Sequence, residues 1–133
     1  MVQSFRHNEG SAVEFMALVY TDPDGWDRLS EGEQSAAYAG YMAVSQEATA
    51  AGALVDASGL EATSAATSVR VRNGEALVTD GPYAEVKESL GGYYLFSCDT
   101  LEEALGWAAK IPAAAHGGAV ELRPVHVDEE AGV

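Results

Sequence analysis

Hydrophobic and polar positions along the chain follow two rhythms. Val13 to Tyr20 is a short apolar run rich in strand formers, closed by the turn cluster Thr21-Asp22-Pro23-Asp24-Gly25, and it predicts a strand. Ser30, with Glu33 three residues later, has the form of a capping box. Beyond it Ala37, Tyr41, Val44 and Ala48 recur at helical spacing, which predicts a helix to about Ala51 with Gly52 as its C-terminal cap. Thr100 and Glu103 repeat the capping signature, and Leu101, Ala104, Leu105, Ala108 and Ile111 line one face of a second helix. Pro112 is expected to end that helix.

The rest of the pattern is β. Thr67 to Arg72 and Glu75 to Thr79 flank Asn73-Gly74, a strong hairpin signal because both residues of a type I′ turn need positive φ. Pairing Arg72 with Glu75 places Val71 opposite Ala76 and Val69 opposite Val78, so one face is apolar and the other starts with an ion pair. Gly92 to Cys98 contains Tyr93, Tyr94, Leu95 and Phe96, and in Ala119 to Val127 the apolar Val120 and Leu122 alternate with Glu121 and Arg123. Both runs predict strands. The order β-α-β, hairpin, β-α-β is that of an α+β fold, a ferredoxin-like split βαβ unit with an inserted hairpin and both helices on one face. The strand around Tyr93 to Phe96 is apolar on both sides, so the opposite face also needs a cover. A homodimer packed sheet to sheet supplies it.

Residues 1–12 show neither period and read as a flexible leader, residues 128–133 read as a flexible tail, and the domain spans 13–127.

The composition narrows the setting. The chain has 133 residues, and 21 acids against 7 bases give a formal charge of -14. A chain of this length buries roughly two-thirds of its unfolded surface, enough for one domain with its own core. Cys98 is the single cysteine and has no partner within the chain. With no secretory h-region and no apolar run near the roughly 18 residues of a membrane span, a reducing cytoplasmic compartment is expected. The negative charge repels phosphate backbones and anionic lipid, so neither nucleic acid nor membrane is an expected partner.

Metal and nucleotide signatures are absent: there is no CxxC, HExxH, GxGxxG, P-loop, GxSxG elbow or EF-hand loop, and no metal or cofactor is expected. What stands out is Val78 to Tyr94, where Asp80, Glu85, Lys87 and Glu88 crowd between two strands. One reading is a solvated loop in which Asp80 caps its own turn. The other places Asp80 and Glu85 as carboxylates, and Lys87 as an ammonium, at a pocket mouth. His116 enters the last strand beside Gly117-Gly118; near Asp80 or Glu85 it would serve as a general base, and otherwise it is an exposed loop histidine. Glu121 and Arg123 point away from the helices if Val120 and Leu122 face them, and charges placed between sheets must be paired. They form either a salt bridge that holds the dimer or a site in which the Arg123 fork takes a carboxylate or enolate. Among the tyrosines, mostly core, Tyr41 and Tyr93 are candidates to reach such a cavity. Cys98 reads as a small buried hydrophobe.

The segment TDGPYAEVKESLGGYYL closely resembles the signature of the DGPF-containing branch of the YCII-related family, with Tyr83 in place of its Phe. The resemblance extends through Glu14-Phe15-Met16-Ala17-Leu18-Val19-Tyr20, through Val69-Arg70-Val71-Arg72, and from Pro112 through His116-Gly117 to Val120-Glu121-Leu122-Arg123-Pro124-Val125, covering about residues 13 to 125. It implies a dimeric α+β barrel and a bacterial setting, often in association with sigma factors. The family's proposed pairing of a first-helix His with an Asp does not carry over, because no His lies between Glu31 and Ala51, where Tyr38 and Tyr41 stand instead.

Two functions follow as expectations. The first is a cofactor-independent enzyme of lyase, isomerase or cyclase type, acting by acid–base chemistry on a small, partly apolar molecule in an inter-sheet pocket, with Asp80, Glu85 and His116 catalytic and Arg123, Glu121, Lys87, Tyr41 and Tyr93 binding substrate. The second is a non-catalytic module that binds a small ligand or docks a sigma factor through its acidic surface.

Overall fold

The computed structural model describes residues 12–22, 24–83 and 88–126. The expected leader apart from Ala12, the tail, and the Glu85 and Lys87 candidates lie outside the described residues. In chain order the elements are β1 (Val13–Thr21), α1 (Gly25–Arg28), α2 (Glu31–Ala50), β2 (Leu54–Gly59), a 3₁₀ turn (Thr63–Ala65), β3 (Thr67–Arg72), β4 (Glu75–Asp80), β5 (Ser89–Cys98), α3 (Leu101–Ala108), α4 (Pro112–Ala115) and β6 (Ala119–Pro124).

Four strands form one antiparallel sheet in the order β2-β5-β1-β6, and β3 and β4 pair separately. Without that inserted hairpin, the two inner strands are the first and third of the fold, which is the ferredoxin-like arrangement. β2 and β6 are the edges. A register shift between Leu54 and Asp56 interrupts the alternation of β2, and another between Val19 and Tyr20 interrupts β1.

The long helix forms where the spacing asks for it. Ser30 Oγ accepts from the Glu33 amide at 3.1 Å, while the Ser30 amide donates to Glu33 Oε1 at 2.8 Å, so both halves of the capping box are present. Two of the four amides that a helix start leaves without partners are thereby satisfied. Val44 and Ala48 are buried from this helix, and Gly52 adopts φ +75° just past its end.

The core lies between the helices and one sheet face. Phe15, Ala17 and Val19 of β1 and Tyr94, Phe96 and Cys98 of β5 point into it, joined by Ala104 and Ile111. Phe96 is fully buried, with ring centroids 5.6 Å from Tyr94 and 6.1 Å from Trp107. Cys98, at 4% exposure, fills the hydrophobe's place that its sequence context assigned to it.

Three local expectations are corrected. The second helix stops at Ala108, well before Pro112, which instead opens the short α4; proline's fixed φ and missing amide suit a first helical turn. β6 ends at Pro124, although the Val125 amide still donates to the Glu14 carbonyl of β1 at 2.8 Å; Val127 lies outside the described residues. The hairpin register is as derived, with Arg72 opposite Glu75, Val71 opposite Ala76 and Val69 opposite Val78. The ion pair expected between Arg72 and Glu75 does not form, since the described salt bridges are Arg28 with Asp22, Lys110 with Glu47 and Arg123 with Glu121. Both side chains stand in water, where such a pair contributes little.

Candidate functional site

The sheet has a covered face and an open one. Alternation puts Phe15, Ala17 and Val19 under the helices, and therefore puts Met16, Leu18 and Tyr20 on the other side. The same parity places Tyr93 and Leu95 of β5 on the open face, beside Leu18 and Met16 respectively. On one edge Glu121 lies opposite Leu18 and Arg123 opposite Met16. On the other edge Ser58 lies opposite Tyr93 and Asp56 opposite Leu95. Two rows thus cross the sheet, Glu121-Leu18-Tyr93-Ser58 and Arg123-Met16-Leu95-Asp56, with apolar or aromatic side chains in the middle, a charged residue at the β6 end of each, and Ser58 or Asp56 at the β2 end. Three strand spacings separate the rims, about 14 Å.

Each rim holds a polar couple. Arg123 Nε donates to Glu121 Oε2 at 3.1 Å, so the two charges are paired as their predicted direction required. One guanidinium hydrogen is used in that bond, and four donors remain on the fork. At the opposite rim the Tyr93 hydroxyl donates to Asp56 Oδ2 at 2.9 Å, joining a phenol to a carboxylate. Asp56 also accepts from the Ala57 amide at 2.8 Å through its other oxygen, which fixes the carboxylate.

The remaining candidates sit elsewhere. Asp80 ends β4, exposed and opposite Thr67 in the separate hairpin. His116 caps α4, with its amide directed to the Ala113 carbonyl and its side chain exposed. Among the described residues no hydrogen bond or ion pair joins His116 to Asp80. Tyr41 lies on the helix side of the sheet, the face opposite Tyr93, Glu121 and Arg123: it packs on the core, and its carbonyl accepts the Tyr94 hydroxyl at 2.9 Å. Asp56 escaped the sequence reading. Its partner is 37 residues away, and the register shift in β2 breaks the alternation that would have shown its direction.

The helix-side tyrosines have a titration consequence. Burial is the main cause that pushes Tyr94 above the ordinary phenol value of 10.0; a hydrogen bond with Ser45 opposes it and the neighbouring Tyr41 adds to it. Burial also raises Tyr41, against a hydrogen bond with the Ala113 backbone. A phenol whose folded pKa is raised holds its proton in the folded chain after the unfolded chain has lost it. The stability it contributes is therefore complete below the ordinary value and falls as pH rises past it. Alkaline titration followed by ultraviolet absorbance should show Tyr41 and Tyr94 ionising above the ordinary phenol value, accompanied by a drop in Tm; Y94F should remove one late step. A titration curve that Y94F leaves unchanged in its late part would contradict this.

A recess of about 540 Å³ lies at the far end of the sheet, lined in part by Ala53, Cys98, Asp99, Glu103, Trp107 and Lys110. None of the residues selected from sequence lines it. Lys110 lies 5.3 Å above the Trp107 ring and pairs with Glu47 at 3.0 Å. Burial pushes the Cys98 thiol up, and Glu103 and Asp99 push it further, so it is held protonated and is a poor nucleophile. No group of three metal-ligating side chains is found among the described residues, and none of their helices is long and apolar enough to cross a membrane.

The family model described as "YCII-related domain" matches residues 13–127. An uncharacterized protein of Rhizobium meliloti (strain 1021) is 36% identical over 112 residues, which is 84% of this chain and 90% of that protein. The matched stretch contains every element of the sheet, both rim couples and the hairpin, and the chain therefore belongs to the YCII-related family.

Proposed function

We propose that the open sheet face is the working surface of a small cofactor-independent enzyme, closed over by a second copy packed sheet to sheet, which carries out acid–base chemistry on a small, partly apolar molecule. The single observation that carries the reading is the layout of the face. Its apolar floor of Met16, Leu18 and Leu95 lies between a cationic fork at one rim and a phenol–carboxylate couple at the other. Arg123 would anchor a carboxylate at the far end of the molecule from the reacting carbon, since a guanidinium stays charged and binds such groups through two parallel bonds. Asp56 would accept a proton from carbon or oxygen, and the Tyr93 hydroxyl would return one; both are tied in one hydrogen bond, so the transfer needs no outside group. Lyase, isomerase and cyclase steps all fit this pattern of abstraction and return.

This reading moves the acid–base role from the Asp80, Glu85 and His116 expected from sequence to Asp56 and Tyr93. Asp80 and His116 remain candidates for the rim only if a second copy or a bound ligand brings them together.

The test uses a panel of small aliphatic and aromatic keto and hydroxy acids, read by thermal shift and by proton exchange into deuterated solvent. The expected hit raises Tm and exchanges a carbon-bound proton. R123A should then lose binding by about tenfold or more, a difference of 1.4 kcal/mol or more. Y93F and D56N should keep binding and lose most of the exchange. Within one chain Arg123 and Asp56 are exposed and Tyr93 is half-buried, so all three variants should keep the fold of the chain, read as unchanged far-UV circular dichroism. Equal binding and exchange in all variants would remove the face from consideration. Binding without exchange would favour the second reading, a ligand-binding or sigma-factor-docking module, for which the support is the formal charge of -14 that would steer a basic partner.

A further inference from the structure

We propose that the recess at the far end of the sheet binds a small organic cation, an ammonium or guanidinium on an apolar body, with its charge at Asp99 and Glu103 and its body against Trp107. The recess shares none of the residues named for the open face, and the proposal stands whether or not that face is a working surface. Its volume of about 540 Å³ is in the range of small-molecule pockets. Ala53 and Cys98 line it from the ends of the strands, and α3 turns Gly106 and Trp107 toward it. A methyl group added at Gly106 would meet no heavy atom within 4 Å, so this side of the helix is open. The Trp107 ring stacks on Phe96, which fixes its plane, and it is the aromatic wall of the recess.

A cation already lies on that wall. Lys110 Nζ is 5.3 Å from the centre of the Trp107 ring, within the reach of a cation–π contact. Lys110 and its partner Glu47 are each about half exposed, so their ion pair contributes little and gives way at small cost. Lys110 is thus a tethered occupant. A free cation takes its place over the ring, while Lys110 keeps its charge in water.

Charge decides the sign of the ligand. Lys110 is directed to Glu47, and the other charged side chains of the recess, Asp99 and Glu103, have no cationic partner among the described residues. Glu103 uses one oxygen to accept from the Asp99 amide at 2.9 Å, which leaves its second oxygen and the Asp99 carboxylate for a ligand. Both fields reach the floor of the recess, where they add to burial in holding the proton on Cys98. At Ala51 and Gly52 the recess also meets the end of α2, which has no base in its last turn and adds the negative end of a long helix. The start of α3 does little to offset this, because the amides of Asp99 and Glu103 are already bonded to the Glu103 and Thr100 side chains. A carboxylate ligand would meet two like charges there, and a cation meets two opposite ones.

The test is fluorescence titration of the full chain. W26F, a change at an exposed residue, leaves Trp107 as the single tryptophan and serves as the background. Three probes share one body and differ in charge: benzylamine, benzyl alcohol and benzoate. Benzylamine should give a saturable change in Trp107 emission, benzyl alcohol should bind about tenfold more weakly or less, and benzoate should give no saturation. D99N/E103Q keeps an acceptor for the amide of residue 99 and should weaken benzylamine by about tenfold or more, with a smaller dependence on salt. G106L should fill the recess and abolish saturation while keeping the far-UV circular dichroism, leucine being a good helix former. K110M removes the tethered competitor and should tighten binding, a gain that a merely structural lysine would not give. No saturation by benzylamine, benzoate binding as well as benzylamine, or unchanged affinity in both D99N/E103Q and G106L would each overturn the site. Weaker binding by K110M would overturn the role of Lys110 as its occupant.

Discussion

Phe96→Ala is expected to cost about 3–5 kcal/mol of stability, the range for an aromatic ring removed from a closed core. The ring is fully buried on the central part of the sheet and stacks between Tyr94 of its own strand and Trp107 of α3. Leu54 lies opposite it on β2, but Ala17, Ala48 and Ala104 of the same core are small, fully buried and have no reach with which to refill the space. A core this rich in alanine concentrates its apolar area in a few rings, so each one counts for more. For a domain of this size the loss corresponds to a fall in Tm of about 10–20 °C. Urea unfolding should show the midpoint moving with the slope unchanged. F96L, which keeps most of the volume, should cost less than about 1.5 kcal/mol. A loss below about 1 kcal/mol for F96A would mean that the helix layer does not depend on this ring.

Gly118→Ala should be nearly as damaging, for a reason of space alone. A methyl group at Gly118 would collide with the Tyr20 carbonyl oxygen and lie 3.2 Å from the Ala113 carbonyl oxygen. Both obstacles are backbone and neither can turn aside. The Gly118 amide itself donates to the Ala113 carbonyl at 3.0 Å, so the residue cannot retreat without giving up the bond that ends α4 and starts β6. The expected loss is about 2–4 kcal/mol, in the class of overpacked and strained positions. Gly106→Ala is the control. It sits in α3 with no heavy atom near enough to touch a new methyl, and should gain up to about 1 kcal/mol from helix propensity. Similar stabilities for the two variants would show that the approach of β6 to β1 is looser than described.

Local signals accounted for much of the architecture. The Ser30 and Glu33 pair marks a helix start because its two hydrogen bonds close within one turn, and Asn73-Gly74 marks a hairpin because few other residues accept φ of 53° and 81° in succession. The pattern around Tyr93 to Phe96 marked a strand apolar on both sides, and the structure puts Tyr94 and Phe96 in the core and Tyr93 and Leu95 on the other face. Long-range features were not legible. Pro112 looks the same whether it ends one helix or begins another, and the choice depends on where Ile111 and Ala113 bury. The direction of Glu121 and Arg123 followed from simple alternation, yet the opposite rim did not, because β2 slips its register just before Asp56. Of the site as it stands, Arg123, Glu121 and Tyr93 could be named from sequence. Tyr41 could not be told from Tyr93 as a cavity residue until the sheet showed which side each occupies, and the meeting of Asp56 with Tyr93 required the fold.

The two edges of the four-stranded sheet differ in kind from its face. β6 ends at a proline and carries Glu121 and Arg123; β2 is broken by a shifted register and carries Asp56. An edge with a missing amide, a bulge and fixed charges is a poor template for another strand. Growth by adding strands, which has no natural stopping point and ends in fibres, is therefore blocked on both sides. Contact through a flat face saturates once that face is covered. The irregularities at Pro124 and Asp56 thus disfavour strand addition at both edges, and with it the polymerisation to which an apolar sheet is prone.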